Sequence, residues 1–255
     1  MLKPTDVTSY RSCVMRAAFL AQDRPDLGEA VKSLSQQMAR PSRSSWEDLK
    51  RLGRYLLGRP SVAVRYAQQT RPAELTILVD SDHAADKISR KSTTGAVQKL
   101  GMHPVKFASV LQTSVSLNVS ESEYYALTYG GAHGLGLQSH MRDLGLEFSL
   151  TLQSDSSAAK SFASRRGLGR QRHVQTRYLW IQNMVATSAF RILKVKGTEN
   201  QSDILTKAID RSTLDRHMRS LNVVIRDPSQ YQKRTGRIVL KAYHGRTLRP
   251  GDVGA

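Results

Sequence analysis

The chain has 255 residues and a formal net charge of +18, from 39 lysines and arginines against 21 acids. A basic excess of this size indicates a polyanionic partner, most often nucleic acid, with a merely basic or ribosome-like surface protein as the alternative. Hydrophobic residues make up 39% of the chain, which suffices for one large domain or two modest ones. Since no apolar run approaches the ~20 residues of a membrane span, we expect no membrane partner.

Cysteine usage and the N-terminal residues bear on the compartment. The sequence has a single cysteine, Cys13, which excludes a disulfide within the chain and a zinc cluster built on cysteines. The stretch Met1–Asp6 lacks the apolar segment of a signal peptide. We therefore expect an intracellular protein, in the cytoplasm, the nucleus or both.

The first part of the chain predicts helices. Apolar residues recur at helical spacing over Ser9–Ala21, Leu27–Met38 and Trp46–Leu57. The third helix also carries a basic face, which indicates either phosphate contact or an ordinary solvated surface. We predict a small helical segment over residues 1–70.

Residues 71–222 predict strands and helices in the order β-β-β-α-β-α-α-β-α. The predicted strands are Leu75–Asp80, Thr93–Leu100, Val105–Ser109, Phe148–Gln153 and Phe190–Val195. The predicted helices start at Glu121, run up to Ala163, cover Val174–Thr187 and extend from Asn200 to about Leu221. The first three strands favour an antiparallel meander, and the whole pattern favours an α/β domain.

The last residues, 223–255, are rich in arginine and lysine and have little apolar periodicity. This composition predicts a flexible basic tail. The tail could add affinity for phosphates, or it could be an inert terminus.

Four acids stand at corresponding points of the predicted domain. They end the first strand, open the long helix, follow the fourth strand and open the last helical region: Asp80, Glu123, Asp155 and Asp203. Singly, each could be a turn, cap or first-turn residue with a structural role. If the first and fourth strands are neighbours, however, all these points share the edge of the sheet where α/β proteins bind ligands.

Carboxylates crowded at one edge have a specific chemical consequence. They repel one another, and several would stay protonated unless divalent cations neutralised them. Oxygen ligands without histidine or cysteine partners favour Mg²⁺, with Mn²⁺ as the alternative. Two such ions ~4 Å apart can activate water and stabilise the leaving oxygen of a phosphodiester. The four acids therefore predict a two-metal site for nucleic-acid hydrolysis.

Short motifs surround these acids. They are Asp80-Ser81-Asp82, Arg90-Lys91-Ser92-Thr93, Ser120–Leu127, Ser154–Ala158, His173-Val174 with Arg177-Tyr178, and Asp203–Lys207. In this order they resemble the C-terminal part of a copia-type LTR retrotransposon Pol polyprotein, in which the end of the reverse transcriptase precedes a ribonuclease H domain. The helical segment, with Leu52-Gly53-Arg54-Tyr55-Leu56, resembles the region after the polymerase palm, and the resemblance covers about residues 8 to 221.

The resemblance implies a ribonuclease H-like fold, a five-stranded mixed sheet flanked by helices. It implies cleavage of the RNA strand of RNA–DNA hybrids, with the rest of the reverse transcriptase polyprotein as a partner. The implied ligands of two Mg²⁺ ions, or Mn²⁺, are Asp80, Glu123, Asp155 and Asp203.

Further residues receive roles from the same resemblance. His173 is implied as a catalytic residue beside the acids, and a loop histidine with satisfied hydrogen bonds is the alternative. The candidates for gripping the backbone of the hybrid are Lys91, Arg172 and Arg177, with ordinary surface charge as the alternative.

Two acids nearly duplicate the predicted ligands. On a continuing strand Asp82 would point to the same side as Asp80. We expect it to lie next to the metal ligands and to hold them in position without binding metal itself. Glu121 is two residues before Glu123 on the same helix, a spacing that turns it away, so we expect it to face solvent.

Several positions depart from the family pattern. His83-Ala84-Ala85 replaces the usual Trp-Ala-Gly, and Val110-Leu111 replaces a basic pair. The long helix carries glycines at positions 130, 131, 134 and 136, each of which costs ~1 kcal/mol relative to alanine. The polymerase signature Tyr-x-Asp-Asp is absent, so we do not expect the chain to polymerise DNA.

These departures leave two further functions open. One is a catalytically impaired or domesticated copy that acts as a basic nucleic-acid-binding or structural module. The other is a nuclease of the same superfamily, such as an integrase or resolvase, against which the fourth acid and the surrounding motifs count.

Overall fold

The computed structural model describes residues 3–169 and 171–225. The α-helices of this part are α1 Pro4–Leu20, α2 Gly28–Gln36, α3 Arg43–Gly58, α4 Val119–Asp143, α5 Ser157–Ala163, α6 Thr176–Ala186 and α7 Arg211–Ser220. The strands are β1 Val62–Val64, β2 Glu74–Asp82, β3 Thr93–Leu100, β4 His103–Leu111, β5 Ser149–Ser154, β6 Arg191–Lys194 and β7 Val223–Ile225. Short 3₁₀ helices cover Pro25–Leu27, Gly197–Glu199 and Gln201–Leu205. No helix in the described ranges is long and apolar enough to cross a bilayer.

The helical segment has a core of its own. The apolar faces of α1, α2 and α3 meet around Tyr10, Val14, Leu27 and Leu34. The buried Tyr10 hydroxyl donates a hydrogen bond of 2.8 Å to the carbonyl of Leu34, which satisfies the one polar atom of that side chain. The three helices predicted from apolar periodicity are confirmed, with their ends shifted by a few residues.

The main sheet has the order β4-β3-β2-β5-β6. Antiparallel pairing joins β2, β3 and β4, as the predicted meander requires, and β2–β5 and β5–β6 pair in parallel. Strand β2 is therefore central, and it lies beside β5, the fourth of the predicted strands. The predicted class, a five-stranded mixed sheet flanked by helices after a small helical segment, is confirmed.

Strand β2 is buried on both faces. Ile77 and Val79 point into the core beneath α4, whereas Leu78 points to the opposite side, where it packs with Val97 and Leu205. A strand covered on both faces reads as a continuous apolar run rather than an alternating one. That burial explains the uninterrupted Leu-Thr-Ile-Leu-Val stretch before Asp80.

Three glycines of α4 are packing positions. A Cβ added at Gly130 would lie 2.5 Å from Val79 Cγ1, one at Gly134 would lie 2.9 Å from Leu150 Cδ1, and one at Gly131 would lie 3.0 Å from a ring carbon of Phe190. These contacts mean that α4 lies closer to the sheet than any side chain would allow. These glycines lower the helix propensity of α4, but they allow the helix to pack closely on the sheet. The family pattern did not indicate this packing role.

The structure contains a two-stranded sheet that the sequence pattern did not predict. Strand β1 pairs antiparallel with β7, with Val62 opposite Ile225 and Val64 opposite Val223. This pairing joins the end of the helical segment to the end of the described chain. Strand β7 thus occupies residues 223–225, the start of the predicted tail, and the remaining tail residues, 226–255, lie outside the described residues.

The last helical region also differs from the prediction. The single helical region expected from Asn200 to Leu221 consists of the 3₁₀ helix Gln201–Leu205 and the separate helix α7. The break occurs because the Asp210 side chain accepts a 3.0 Å hydrogen bond from the Thr213 amide and starts a new helix. The predicted division into residues 1–70, 71–222 and 223–255 stays a prediction.

Candidate active site

Three carboxylates converge at one edge of the main sheet. Single oxygens of Asp80, Glu123 and Asp155 all lie within 4.8 Å of one another. The parallel pairing of β2 with β5 brings Asp80 and Asp155 to the same edge, and Glu123, in the second turn of α4, lies beside them. Residues up to 75 positions apart thus meet because two strands end and a helix begins at one place.

The Glu123 carboxylate is anchored on one side and open on the other. Its Oε1 accepts a 3.2 Å hydrogen bond from the Ser81 amide. Its Oε2 is buried without a hydrogen-bond partner among the described residues. Burial, followed by the negative charges of Asp80 and Asp155, raises the pKa of Glu123 to about 8.

Asp203 adjoins Asp80 but lies outside the 4.8 Å group. The side chain of Asn200, which caps the 3₁₀ helix carrying Asp203, also donates a 2.9 Å hydrogen bond to the carbonyl of Val79 in the central strand. Burial and then the charge of Asp80 raise the pKa of Asp203 to about 6. Its Oδ1 is a second buried oxygen without a hydrogen-bond partner in the described part of the chain.

Asp155 does not cap the helix that follows it. Helix α5 is capped instead by Ser156, whose hydroxyl accepts a 3.2 Å hydrogen bond from the Ala159 amide. Burial and then Asp80 raise the pKa of Asp155. Asp82 lies on the same strand as Asp80, two residues on, and burial raises its pKa as well.

Glu121 corrects a prediction. It does not face solvent but is 1% exposed. Its carboxylate accepts a 2.9 Å hydrogen bond from the Leu117 amide, another from the Tyr125 hydroxyl, and lies 2.8 Å from His173 Nε2. Burial alone would raise the pKa of Glu121, but the hydrogen bonds from His173 and Tyr125 outweigh it and lower the pKa. Helical spacing missed this because two loops cover the first turn of α4.

Two of the predicted nucleic-acid contacts lie in loops, and the third lies in a helix. Lys91 lies in the turn before β3, and Arg172 is exposed in the loop before α6. Arg177, in the first turn of α6, donates hydrogen bonds to Thr113 (3.1 Å) and to Ser114 (2.8 Å). Arg177 therefore braces the loop after β4, whereas His173 binds Glu121.

Sequence reasoning missed Lys207. Its ammonium nitrogen lies 3.3 Å from Asp203 Oδ2 and 3.9 Å from Asp80 Oδ2. The neighbouring Thr206 hydroxyl donates a hydrogen bond to Asp80. Both residues belong to the quoted Asp203–Lys207 motif, and a lysine four residues after an acid is a readable signal for pairing.

Comparison with known proteins identifies the family, although no family model matches the chain. Over 230 residues, 89% of the chain, it is 30% identical to the retrovirus-related Pol polyprotein from transposon RE2 of Arabidopsis thaliana, and equally to that from transposon RE1. It is also 30% identical over 194 residues, 75% of the chain, to the corresponding polyprotein from transposon TNT 1-94 of Nicotiana tabacum. The chain belongs to the retrovirus-related Pol polyproteins of transposons. This Pol segment spans only 16% of the RE1 and RE2 polyproteins and 14% of the TNT 1-94 polyprotein.

Solved structures show weaker likenesses to this Pol segment. A foamy viral protease-reverse transcriptase in complex with dsDNA aligns with a TM-score of 0.49 and 14% identity, over 74% of this chain and 38% of that one. LC11-RNase H1, isolated from compost, aligns with a TM-score of 0.41 and 12% identity, over 57% of this chain and 99% of that one. The ribonuclease H-like fold of the segment rests on its own sheet order.

Proposed function

We propose that this Pol segment is a metal-dependent ribonuclease H of a copia-type retrotransposon, which cleaves the RNA strand of RNA–DNA hybrids. The observation that carries the proposal is the group formed by Asp80, Glu123 and Asp155, whose oxygens lie within 4.8 Å of one another. Carboxylates this close are stable together only with protons or cations between them. The membership of the chain in the Pol family supports the choice of nucleic acid as the substrate.

The donor atoms fit divalent cations. Buried oxygens of Glu123 and Asp203 have no hydrogen-bond partner among the described residues, and leaving such atoms unpaired costs free energy. The set consists of carboxylate oxygens, which favour Mg²⁺ or Mn²⁺. Asp80, Glu123 and Asp155 would hold one ion, and Asp80 with Asp203 would hold a second. Such ions, when bound, supply an acidified water and neutralise charge on the phosphate.

The chain's own contacts orient these carboxylates. The Ser81 amide holds Glu123 Oε1, and the Thr206 hydroxyl holds Asp80 Oδ2. Asp80 is 3% exposed. Burial and then the charge of Asp80 raise the pKa of Glu123, Asp155 and Asp203, so Asp80 lies beside all three of the other acids. Fixed ligands reduce the reorganisation that the reaction requires.

The charge of the chain and the groove geometry of the hybrid support this choice of substrate. The net charge of +18 favours the phosphate backbone and predicts salt-sensitive binding. Contacts to 2′-hydroxyls in the wide minor groove would select the RNA strand. We further propose the rest of the reverse transcriptase polyprotein as a partner, and the cytoplasm or nucleus as the compartment.

The test is cleavage of an end-labelled RNA–DNA hybrid by the full chain with Mg²⁺. We expect cuts in the RNA strand that leave 3′-hydroxyl and 5′-phosphate ends, and none with EDTA. Asp155→Asn should reduce the rate by at least about 100-fold, since it removes a charged ligand of the ions.

The matched control is Asp143→Asn, the same change on an exposed carboxylate at the other end of α4. This variant should cleave at the wild-type rate. Cleavage that persists undiminished in Asp155→Asn would refute the proposed site.

A binding module is the second candidate function. The net charge of +18 favours binding to phosphates whether or not the chain cleaves them. The ion pairs of Lys207 with two of the acids also favour it, because they neutralise these carboxylates without a metal ion. In that case the chain would bind hybrids in a salt-sensitive manner and cleave them with neither Mg²⁺ nor Mn²⁺.

A further inference from the structure

A lysine stands inside the acidic site. The ammonium nitrogen of Lys207 lies 3.3 Å from Asp203 and 3.9 Å from Asp80, the carboxylates assigned above to a second ion. The two aspartate side chains are largely buried, whereas the side chain of Lys207 is 45% exposed. The acids are therefore held by the fold, and the ammonium group can move away without unpacking the core.

The fold fixes the origin of this lysine side chain. The preceding Thr206 is hydrogen-bonded to Asp80, and a Cβ added at Gly95 in β3 would lie only 2.7 Å from the carbonyl oxygen of Ser202. The 3₁₀ helix before Lys207 thus packs directly on the sheet. The backbone of Lys207 is therefore held beside Asp80, and the flexible side chain allows the ammonium group to move.

The two cation positions are electrostatically different. Among the described residues, no lysine, arginine or histidine forms an ion pair with Glu123 or Asp155, whereas Lys207 pairs with Asp80 and Asp203. A divalent cation between Asp80 and Asp203 would lie within a few ångströms of the ammonium group, where the two positive charges repel each other. The ammonium group and the second ion would therefore compete for the same two carboxylates.

We propose that Lys207 is a built-in competitor for the second divalent cation. Its ammonium group neutralises Asp80 and Asp203 when metal is scarce and must leave before the second ion binds, so it sets the metal concentration at which the site fills. This inference rests on the proposed function, because it concerns the same metal site.

The experiment is calorimetric titration of the full chain with Mn²⁺. The wild type should bind one ion tightly and a second more weakly. Lys207→Met should strengthen the weaker step by about tenfold or more, because it removes one positive charge near a divalent ion. Lys207→Gln, which keeps a polar end, is measured in parallel and should strengthen the same step, and Lys207→Arg should keep it weak. Circular dichroism checks that each variant folds.

Lys50→Met is the matched control. Lys50 is exposed to a similar degree, 52%, and pairs with Glu47 on α3, so this variant changes the net charge equally. Unchanged second-step binding in both neutral variants, or equal strengthening in Lys50→Met, would overturn the inference alone. A wild type that binds no Mn²⁺ at all would overturn the proposed function itself, and the inference with it.

Discussion

Replacing Gly130 by alanine tests how α4 holds Glu123 against the sheet. The added Cβ would lie 2.5 Å from Val79 Cγ1, closer than real Cβ atoms come, so α4 must move away from β2. Gly130 lies seven residues after Glu123 and hence on the same face of the helix, and Val79 directly precedes Asp80. The same displacement that relieves the clash therefore separates two of the converging carboxylates.

The expected loss of stability follows from two opposing effects. Alanine is more favourable than glycine inside a helix by about 1 kcal/mol, and overpacking a close contact costs about 1–3 kcal/mol. At Gly136 an added Cβ meets no atom within 4 Å, so the helix gain stands alone. The free energies of unfolding of Gly130→Ala and Gly136→Ala should therefore differ by the overpacking cost, about 1–3 kcal/mol.

Urea unfolding measures this difference, and the cleavage assay measures its functional effect. Gly130→Ala should unfold at lower urea concentration than Gly136→Ala and cleave the hybrid more slowly than the wild type. Gly136→Ala should cleave like the wild type. If the two variants are equally stable, α4 does not depend on glycine at position 130, and the reasoning is refuted.

Three further predictions concern pH, a buried acid and the helical segment. Because the pKa of Glu123 is raised from 4.5 to about 8, the metal-free folded state holds a proton that the unfolded state loses. The free energy of unfolding should thus fall between about pH 4.5 and 8 in urea melts, and less steeply in Glu123→Gln. Glu121→Gln should lower that free energy by about 1–3 kcal/mol, since Glu121 is a buried hydrogen-bond acceptor; a loss no larger than that of Asp143→Asn would contradict this. Deleting residues 1–70 removes β1, the pairing partner of β7, and should lower the melting temperature. An unchanged melting temperature would show that the rest of the chain is an independent domain.

The outline of the fold was predictable because it depends on local patterns. The central strand, the meander and the long helix follow from runs and periods of apolar residues, and their observed positions agree with the prediction. The small β1–β7 sheet was not predictable. Each of its strands has three residues, too few for a period, and each is a strand only because the other lies beside it.

The candidate site divides in the same way. The positions of Asp80, Glu123 and Asp155 at the ends of predicted elements were readable, and the edge they share follows from one pairing, β2 with β5. The environment of Glu121 was not readable, because helical spacing reports the direction of a side chain and not what covers it. His173, which lies 2.8 Å from Glu121, comes from a loop 52 residues away in sequence.

By itself, the sequence determined the basic charge, the order of the five main strands and of the longer helices, and the placement of acids where strands end and helices begin. Only the tertiary structure decided that Glu121 is buried, that glycines draw α4 onto the sheet, and that Lys207 pairs with Asp80 and Asp203. The physical reason is the distance along the chain over which each interaction acts. Apolar periodicity and capping act within a few residues, whereas distances between charges and the closeness of packing depend on segments that only folding brings together.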